Sequence, residues 1–366
     1  MERRAFLKAT AAAGAVTAAA YSAPAISNNR REWRMATAWP SGLPGLGTGA
    51  ESLARRITDM SDGRITVRVY AAGQLVPGLE TFDAVQSNTA QIGHDTPGFH
   101  LGKHRAFAYF FGAPFGMSFA EHSAWLRYGG GQDLWDKLSA EFGLKSFAIG
   151  NIGTPPFGWF KKPLNSVDDL KGVTMRMPGL GAQMIRRLGA VPTLMAPGDV
   201  YQALQSGTLD ATDFTGPAND MALGFHRVAK YYYWAGVHKP GAVQQAIINK
   251  EEYDSLPKDL RRIVDVACQA ANEDMLAEYT WINAQAAKAL RDEHDIIFDR
   301  LPEDMVVALG RAAGEILEEE HESLDSLGKE IWESYFRARR DLKALTEFGD
   351  QAFYDARGAD FSYPNP

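Results

Sequence analysis

The chain has 366 residues, is 45 % hydrophobic and carries a formal net charge of −7. That length admits two domains with substantial cores, and the acidic balance argues against a nucleic-acid partner, which favours a basic face. Cys268 is the only cysteine; it falls in the helical pattern LRRIVDVACQAAN as a small buried hydrophobe, so the fold must be held by its core and interfaces rather than by a disulfide.

In chain order, MERRAFLKATAAAGAVTAAAYSAPA predicts a twin-arginine export signal at 1–25. Arg3, Arg4 and Lys8 precede a weakly apolar, alanine-rich run, and Ala23 to Ala25 form a small-residue exit. Glu2 departs from the Ser or Thr usual before the arginine pair. The run is too short for an anchor, and no later stretch reaches the roughly 18 apolar residues of a membrane span. A cut after Ala25 leaves a soluble periplasmic chain of net charge −9.

REWRMATAWPSG alternates Trp33, Met35 and Thr37 as a strand, which Pro40 and Gly42 end. GAESLARRITDM at 49–60 predicts a helix, and Ile65, Val67 and Val69 a second strand. Strand, helix, strand opens an α/β domain. A helix over 80–86 leads into DAVQSNTAQIGHDTPG at 83–98, which QALQSGTLDATDFTGP echoes at 202–217. Both read as a helix end, a left-handed cap at Asn88 or Gly207, a short strand and a turn. The echo fits two domains of similar build, and equally two ordinary αβ corners. The aromatic stretch between them, 107–142, predicts mainly core. Strands follow at 144–150, 158–160 and 173–177, the last carrying Arg176 just before the turn PGLG. Residues 257–293 and most of 303–350 are helical in pattern, and no proline falls between Pro302 and Pro364, which permits long unbroken helices. The expected organisation is an α/β domain at 31–155, a second at 156–250, a helical return at 251–302, a long helical region at 303–350 and a tail at 351–366.

No Walker loop, complete GxGxxG, HExxH or GxSxG occurs. The histidines form no metal-ligand pattern with the cysteine. Nothing in the sequence offers a convincing catalyst, and no cofactor is implied.

The segments YAAGQLVPGLETFDAVQSNTAQIG (70–93), GNIG (150–153), GWFKKPLNSVDDLKGVTMRMPG (158–179), LGAVPTLMAPGDVYQALQSGTLDATDFTGP (188–217) and GFHRVAKYYYWAG (224–236) together resemble the periplasmic substrate-binding proteins of tripartite ATP-independent periplasmic (TRAP) transporters. The likeness is strongest to the branch that binds 2-oxo acids and related monocarboxylates. It implies an α/β, two-domain periplasmic binding protein of the Venus-flytrap type, with connecting strands, a bracing long helix and a helical C-terminal extension. It implies capture of a small organic carboxylate and delivery to TRAP membrane permease subunits. A homodimer formed through the C-terminal helices is a further implication.

The resemblance makes Arg176 a two-pronged carboxylate anchor. A guanidinium stays charged and presents a planar fork matched to a carboxylate. It makes Asn151 a pocket amide, and Phe99, Trp159, Phe214 and Trp39 apolar walls. The branch often holds a metal ion between protein and ligand, at positions that here carry Pro155, Asp213 and Lys239. Proline has no side-chain donor or acceptor and a protonated lysine cannot coordinate a cation, so no metal is expected. Lys239 is expected to pair with Asp213 and supply the charge itself; the alternative is a lysine pointing into solvent. The leading expectation is a binding protein, not an enzyme, for a 2-oxo or 2-hydroxy monocarboxylate. Aromatic or branched carboxylates, a twin-arginine-exported enzyme with an unrecognised cofactor and a stand-alone sensor remain open.

Overall fold

A computed structural model describes residues 30–364 of the chain. The expected export signal lies outside them. The strands are β1 (Arg31–Thr37), β2 (Ile65–Tyr70), β3 (Ile92–Asp95), β4 (Leu144–Asn151), β5 (Gly158–Phe160), β6 (Thr174–Arg176), β7 (Val191–Thr193), β8 (Ala211–Thr212), β9 (Tyr231–Trp234), β10 (Val243–Asn249) and β11 (Ile297–Arg300). They form two sheets, ordered β2-β1-β3-β10-β4 and β11-β9-β5-β8-β6-β7. The last strand of the 156–250 stretch, β10, therefore returns to the first sheet.

Each sheet is built on a parallel βαβ unit. In the first, β1 runs parallel to β2 and β3, with helix Gly47–Met60 between the first two. In the second, β6 runs parallel to β7 and β8. The sequence echo has a local physical basis. Asn88 and Gly207 both take positive φ after their helices. Ser87 and Ser206 both bond back to a carbonyl three residues earlier, at 3.3 and 3.2 Å, and both meet a threonine hydroxyl two residues on. The same cap turns each helix into the strand that follows.

Two stretches cross between the sheets, 152–157 after β4 and 235–242 before β10. They are bonded to one another. Ile152 N–H donates to Ala242 (3.2 Å), Gly241 N–H to Gly153 (3.1 Å) and Gly236 N–H to Pro155 (2.8 Å). Helix Lys258–Asp292 spans both halves. Its Met275 lies against Gly150 of β4, and its Asn283 accepts from Ala218 N–H at 2.9 Å beside the second sheet.

Two elements differ from expectation. β11 lies in the supposedly helical return. It is a mostly exposed edge strand with no alternating apolar face to mark it. The 303–350 region is broken into helices Glu303–Ser323 and Ser326–Thr346. The break needs no proline: Leu324 is extended, and Asp325 caps the new helix by accepting from Gly328 N–H at 2.7 Å.

The aromatic stretch packs as core, with Phe110 stacked on Trp125 and Trp135 at 5.5 and 4.9 Å. Tyr335, from helix Ser326–Thr346, enters that cluster against Trp125, Tyr109 and His122. Its hydroxyl accepts from Met117 N–H at 3.2 Å and Ala113 N–H at 3.3 Å. The C-terminal helix is thus stitched to the first half by a fully buried ring. Y335A should cost about 3–5 kcal/mol through the cavity it leaves. Y335F, which strands two backbone donors, should cost about 1–3 kcal/mol. Denaturant melts are the check, and a Y335A protein as stable as wild type would show that this helix docks without contributing to the core.

Candidate functional site

The carboxyl ends of β1, β3, β6 and β8 converge, with the two crossings, on one small, part-open cavity. Ligands in open α/β sheets lie at such strand ends. Trp39, Thr96 and Phe99 line the cavity from the first half, and Arg176, Phe214 and Thr215 from the second. Ile152, Lys239 and Gln244 line it from or beside the crossings.

Arg176 ends β6 and is almost wholly buried. Its Nε donates to the Met195 carbonyl, and its Nη1 to both the main-chain carbonyl and the Oδ1 of Asp213, all at 3.2 Å. Nη2 makes no hydrogen bond among the described residues. The rings of Phe214 and Phe99 flank the guanidinium, their centroids 5.6 and 6.0 Å away. The charge is therefore oriented on one side and left with a free donor on a side chain that lines the cavity.

Asp213 stands behind this face. Its Oδ2 meets His238 Nε2 at 2.9 Å and the Lys239 ammonium, which also donates to the Phe214 carbonyl at 2.7 Å. Lys239 is 3 % exposed, so the solvent-facing alternative is not the one observed. Burial works against the charge on Asp213, but Lys239, His238 and Arg176 outweigh it and hold the carboxyl below its usual range. Burial likewise pulls down the pKa of Lys239 and of Arg176, with Asp213 opposing. Burial lowers His238 and keeps it neutral. A carboxylate only accepts, so its Nε2 carries the proton and Nδ1 is left buried without a partner.

Two expected site residues do other work. The Asn151 amide is committed to backbone: Nδ2 donates to Gly241 at 2.5 Å and Oδ1 accepts from Gly153 N–H at 2.8 Å. It clamps the two crossings together instead of presenting an amide to a ligand. Trp159 stacks on Tyr232 at 4.1 Å and donates to Asp220 at 2.8 Å, inside the second half and away from the cavity lining. Conversely, His238 and Gln244 were not singled out by the sequence. Gln244 is 2 % exposed, lines the cavity and has an Oε1 with no partner. A signal existed: two adjacent glutamines in an otherwise apolar, fully buried strand demand partners. Gln245 finds one in Asp95 at 2.7 Å.

The description bacterial extracellular solute-binding protein, family 7, matches residues 35–323. The chain belongs to that family. It is 35 % identical over 321 residues to a monocarboxylate 2-oxoacid-binding periplasmic protein of Nostoc sp., covering 88 % of this chain and 87 % of the relative. A TRAP transporter solute-binding protein of Bordetella bronchiseptica superposes with a TM-score of 0.87 at 30 % identity, over 90 % of this chain and 97 % of that one. It is described as a mixed-occupancy dimer with copurified calcium and picolinate in one site and the other apo. A TRAP periplasmic solute-binding protein of Pseudoalteromonas atlantica, with bound sodium and pyruvate, gives 0.86 at 35 % identity, over 89 % and 99 %. Members of the family are solute-binding receptors. Among the described residues, no helix is long and apolar enough to cross a membrane.

Trp39 closes one side of the cavity, its Nε1–H donating to His94 Nδ1 at 2.8 Å. That bond requires Nδ1 unprotonated, and burial lowers the His94 pKa from 6.5 to about 4. Below pH 6.5 the unfolded chain takes up the proton first, so stability falls as pH drops from about 6.5 to about 4 and levels off below. The full effect is on the order of 3 kcal/mol. H94Q keeps an acceptor and should flatten that part of the decline in thermal melts between pH 7 and 4. An unchanged slope would show that His94 titrates alike folded and unfolded.

Proposed function

We propose that this protein is the exported, periplasmic receptor of a TRAP transporter. It captures a small monocarboxylate between its two halves and delivers it to membrane permease subunits, without catalysing a reaction. The observation that carries the reading is the free Nη2 of Arg176, on a buried guanidinium that lines the cavity. Charge supports a single carboxylate. Arg176 and Lys239 are both bonded to Asp213, with His238 neutral, so this bonded group presents one positive charge to an anion, while buried Asp220 acts on both cations from farther off. The Gln244 amide carries both a donor and an acceptor, and so suits an oxo or a hydroxyl group at the 2-position. The 2-oxo acid and pyruvate named for the relatives fit this description.

R176A should fold yet lose about 2–5 kcal/mol of binding, or roughly 30-fold to several-thousand-fold in affinity. R176K should recover only part, lacking the planar fork. Calorimetry with pyruvate and other 2-oxo and 2-hydroxy monocarboxylates is the test. An R176A dissociation constant equal to wild type for the best of them would sink the assignment.

A second copy of the chain is the proposed partner of the C-terminal end. Leu345, Phe348, Phe353, Tyr354, Phe361 and Tyr363 are each more than half exposed. They lie at and beyond the end of helix Ser326–Thr346. Truncation after Thr346 spares Tyr335, so it should give a folded monomer where the full chain is a dimer. Light scattering on both proteins decides it, and a full-length monomer at micromolar concentration would remove this partner.

A further inference from the structure

In the two TRAP relatives a cation accompanies the ligand, calcium with picolinate in one and sodium with pyruvate in the other. The residues around Asp213 do not fit such an ion. Calcium requires about six to eight oxygen ligands at roughly 2.3–2.6 Å. Here Asp213 Oδ1 is taken by Arg176 at 3.2 Å, and Oδ2 by His238 at 2.9 Å and by the Lys239 ammonium. The Phe214 carbonyl is taken by Lys239 at 2.7 Å. Pro155 on the facing crossing has no side-chain oxygen, and its carbonyl accepts from Gly236 N–H at 2.8 Å. A metal ion here would have to displace one fixed cation and sit beside a second.

We infer that the Lys239 ammonium is a tethered replacement for the cation, making ligand capture by this chain independent of metal. The inference rests on the proposed carboxylate site and assigns its chemistry. An ammonium has three donors and no acceptor. Two point at Asp213 and the Phe214 carbonyl, which leaves the third for an oxygen of the ligand in the cavity that Lys239 lines. Arg176 Nη2 takes the carboxylate, and Lys239 takes an oxygen of the same carboxylate or of its 2-substituent. Its two recorded partners, the Asp213 carboxylate and the Phe214 carbonyl, are both acceptors, as an ammonium needs. Its partners are held by the fold: Asp213 follows β8 directly, and Lys239 is on the crossing bonded to its neighbour at Gly153 and Pro155.

The test uses the full exported chain, stripped with EDTA and exchanged into a sodium-free buffer. Pyruvate is titrated calorimetrically alone, with calcium and with sodium, at constant ionic strength. The expected result is one dissociation constant in all three conditions, and at least a roughly tenfold weakening in K239M, about 1.4 kcal/mol. Binding that disappears with EDTA and returns with one cation overturns the inference while leaving the carboxylate site standing. Cation-independent binding that K239M retains in full overturns the role of the lysine. A parallel arm needs no ligand and does not depend on K239M folding. Calcium should leave the melting temperature of the stripped wild type unmoved, because a site that binds no ion gains no stability from it. It should raise that of K239E, which restores an acidic donor beside Asp213. Calcium stabilisation of the wild type, with no such gain in K239E, overturns the inference even if pyruvate proves not to be the cargo. Failure of every carboxylate to bind while this arm behaves as expected counts against the receptor reading alone.

Discussion

The buried carboxylate of Asp213 is the constraint on which the site depends. It is fully buried and meets three nitrogen groups, from Arg176, His238 and Lys239. Burying an isolated carboxylate is prohibitive, and burying it in a well-bonded cluster is tolerable. The cluster therefore works in both directions. Asp213 makes it possible to hold a guanidinium and an ammonium out of water at the bottom of a small cavity. Those two cations in turn make the carboxylate tolerable. Removing Asp213 would leave two buried cations without their shared carboxylate, an imbalance typically worth about 3–5 kcal/mol.

The members of the cluster come from elements that only the global topology joins. Arg176 ends β6 and Asp213 follows β8, neighbouring parallel strands of the second sheet. His238 and Lys239 arrive on the crossing that leads back to the first sheet. That crossing is fixed by its bonds to the other crossing, including the Asn151 clamp. The cavity is thus built where the chain passes between its halves, so any relative movement of the halves acts directly on the ligand groups. On the far side the halves are tied by Asn219, which donates to the Pro44 carbonyl at 2.7 Å, and by Tyr279 of the long helix, which reaches the same carbonyl at 3.3 Å.

Much of this was legible in residue order. The α/β class came from alternating and helical periods. The βαβ corners came from the echoed caps at Asn88 and Gly207, and the aromatic core from its density. Arg176 stood out through the resemblance to the family, which makes an arginine at a strand end before a glycine turn the carboxylate anchor. Elements without a local signature were missed: an exposed edge strand at 297–300, and a helix break that depends on one capping aspartate.

The sequence by itself determined what is encoded over a few residues: strand and helix periods, caps, the charge of Arg176 and Lys239, and the absence of a donor on the Pro155 side chain. It also carried enough of the family pattern to place the chain among solute-binding proteins. The tertiary structure alone decided which polar atoms remain free. Asn151 looked like a pocket amide and is consumed by backbone 90 residues away in sequence, whereas Gln244 looked like an ordinary strand residue and is left without a partner for its buried oxygen. Hydrogen-bond satisfaction is a property of three-dimensional neighbours, and burial makes each unmet partner matter. The residue types in a site can therefore be read along the chain, but the division between those that build the site and those that meet the ligand is made only when the two sheets close on one another.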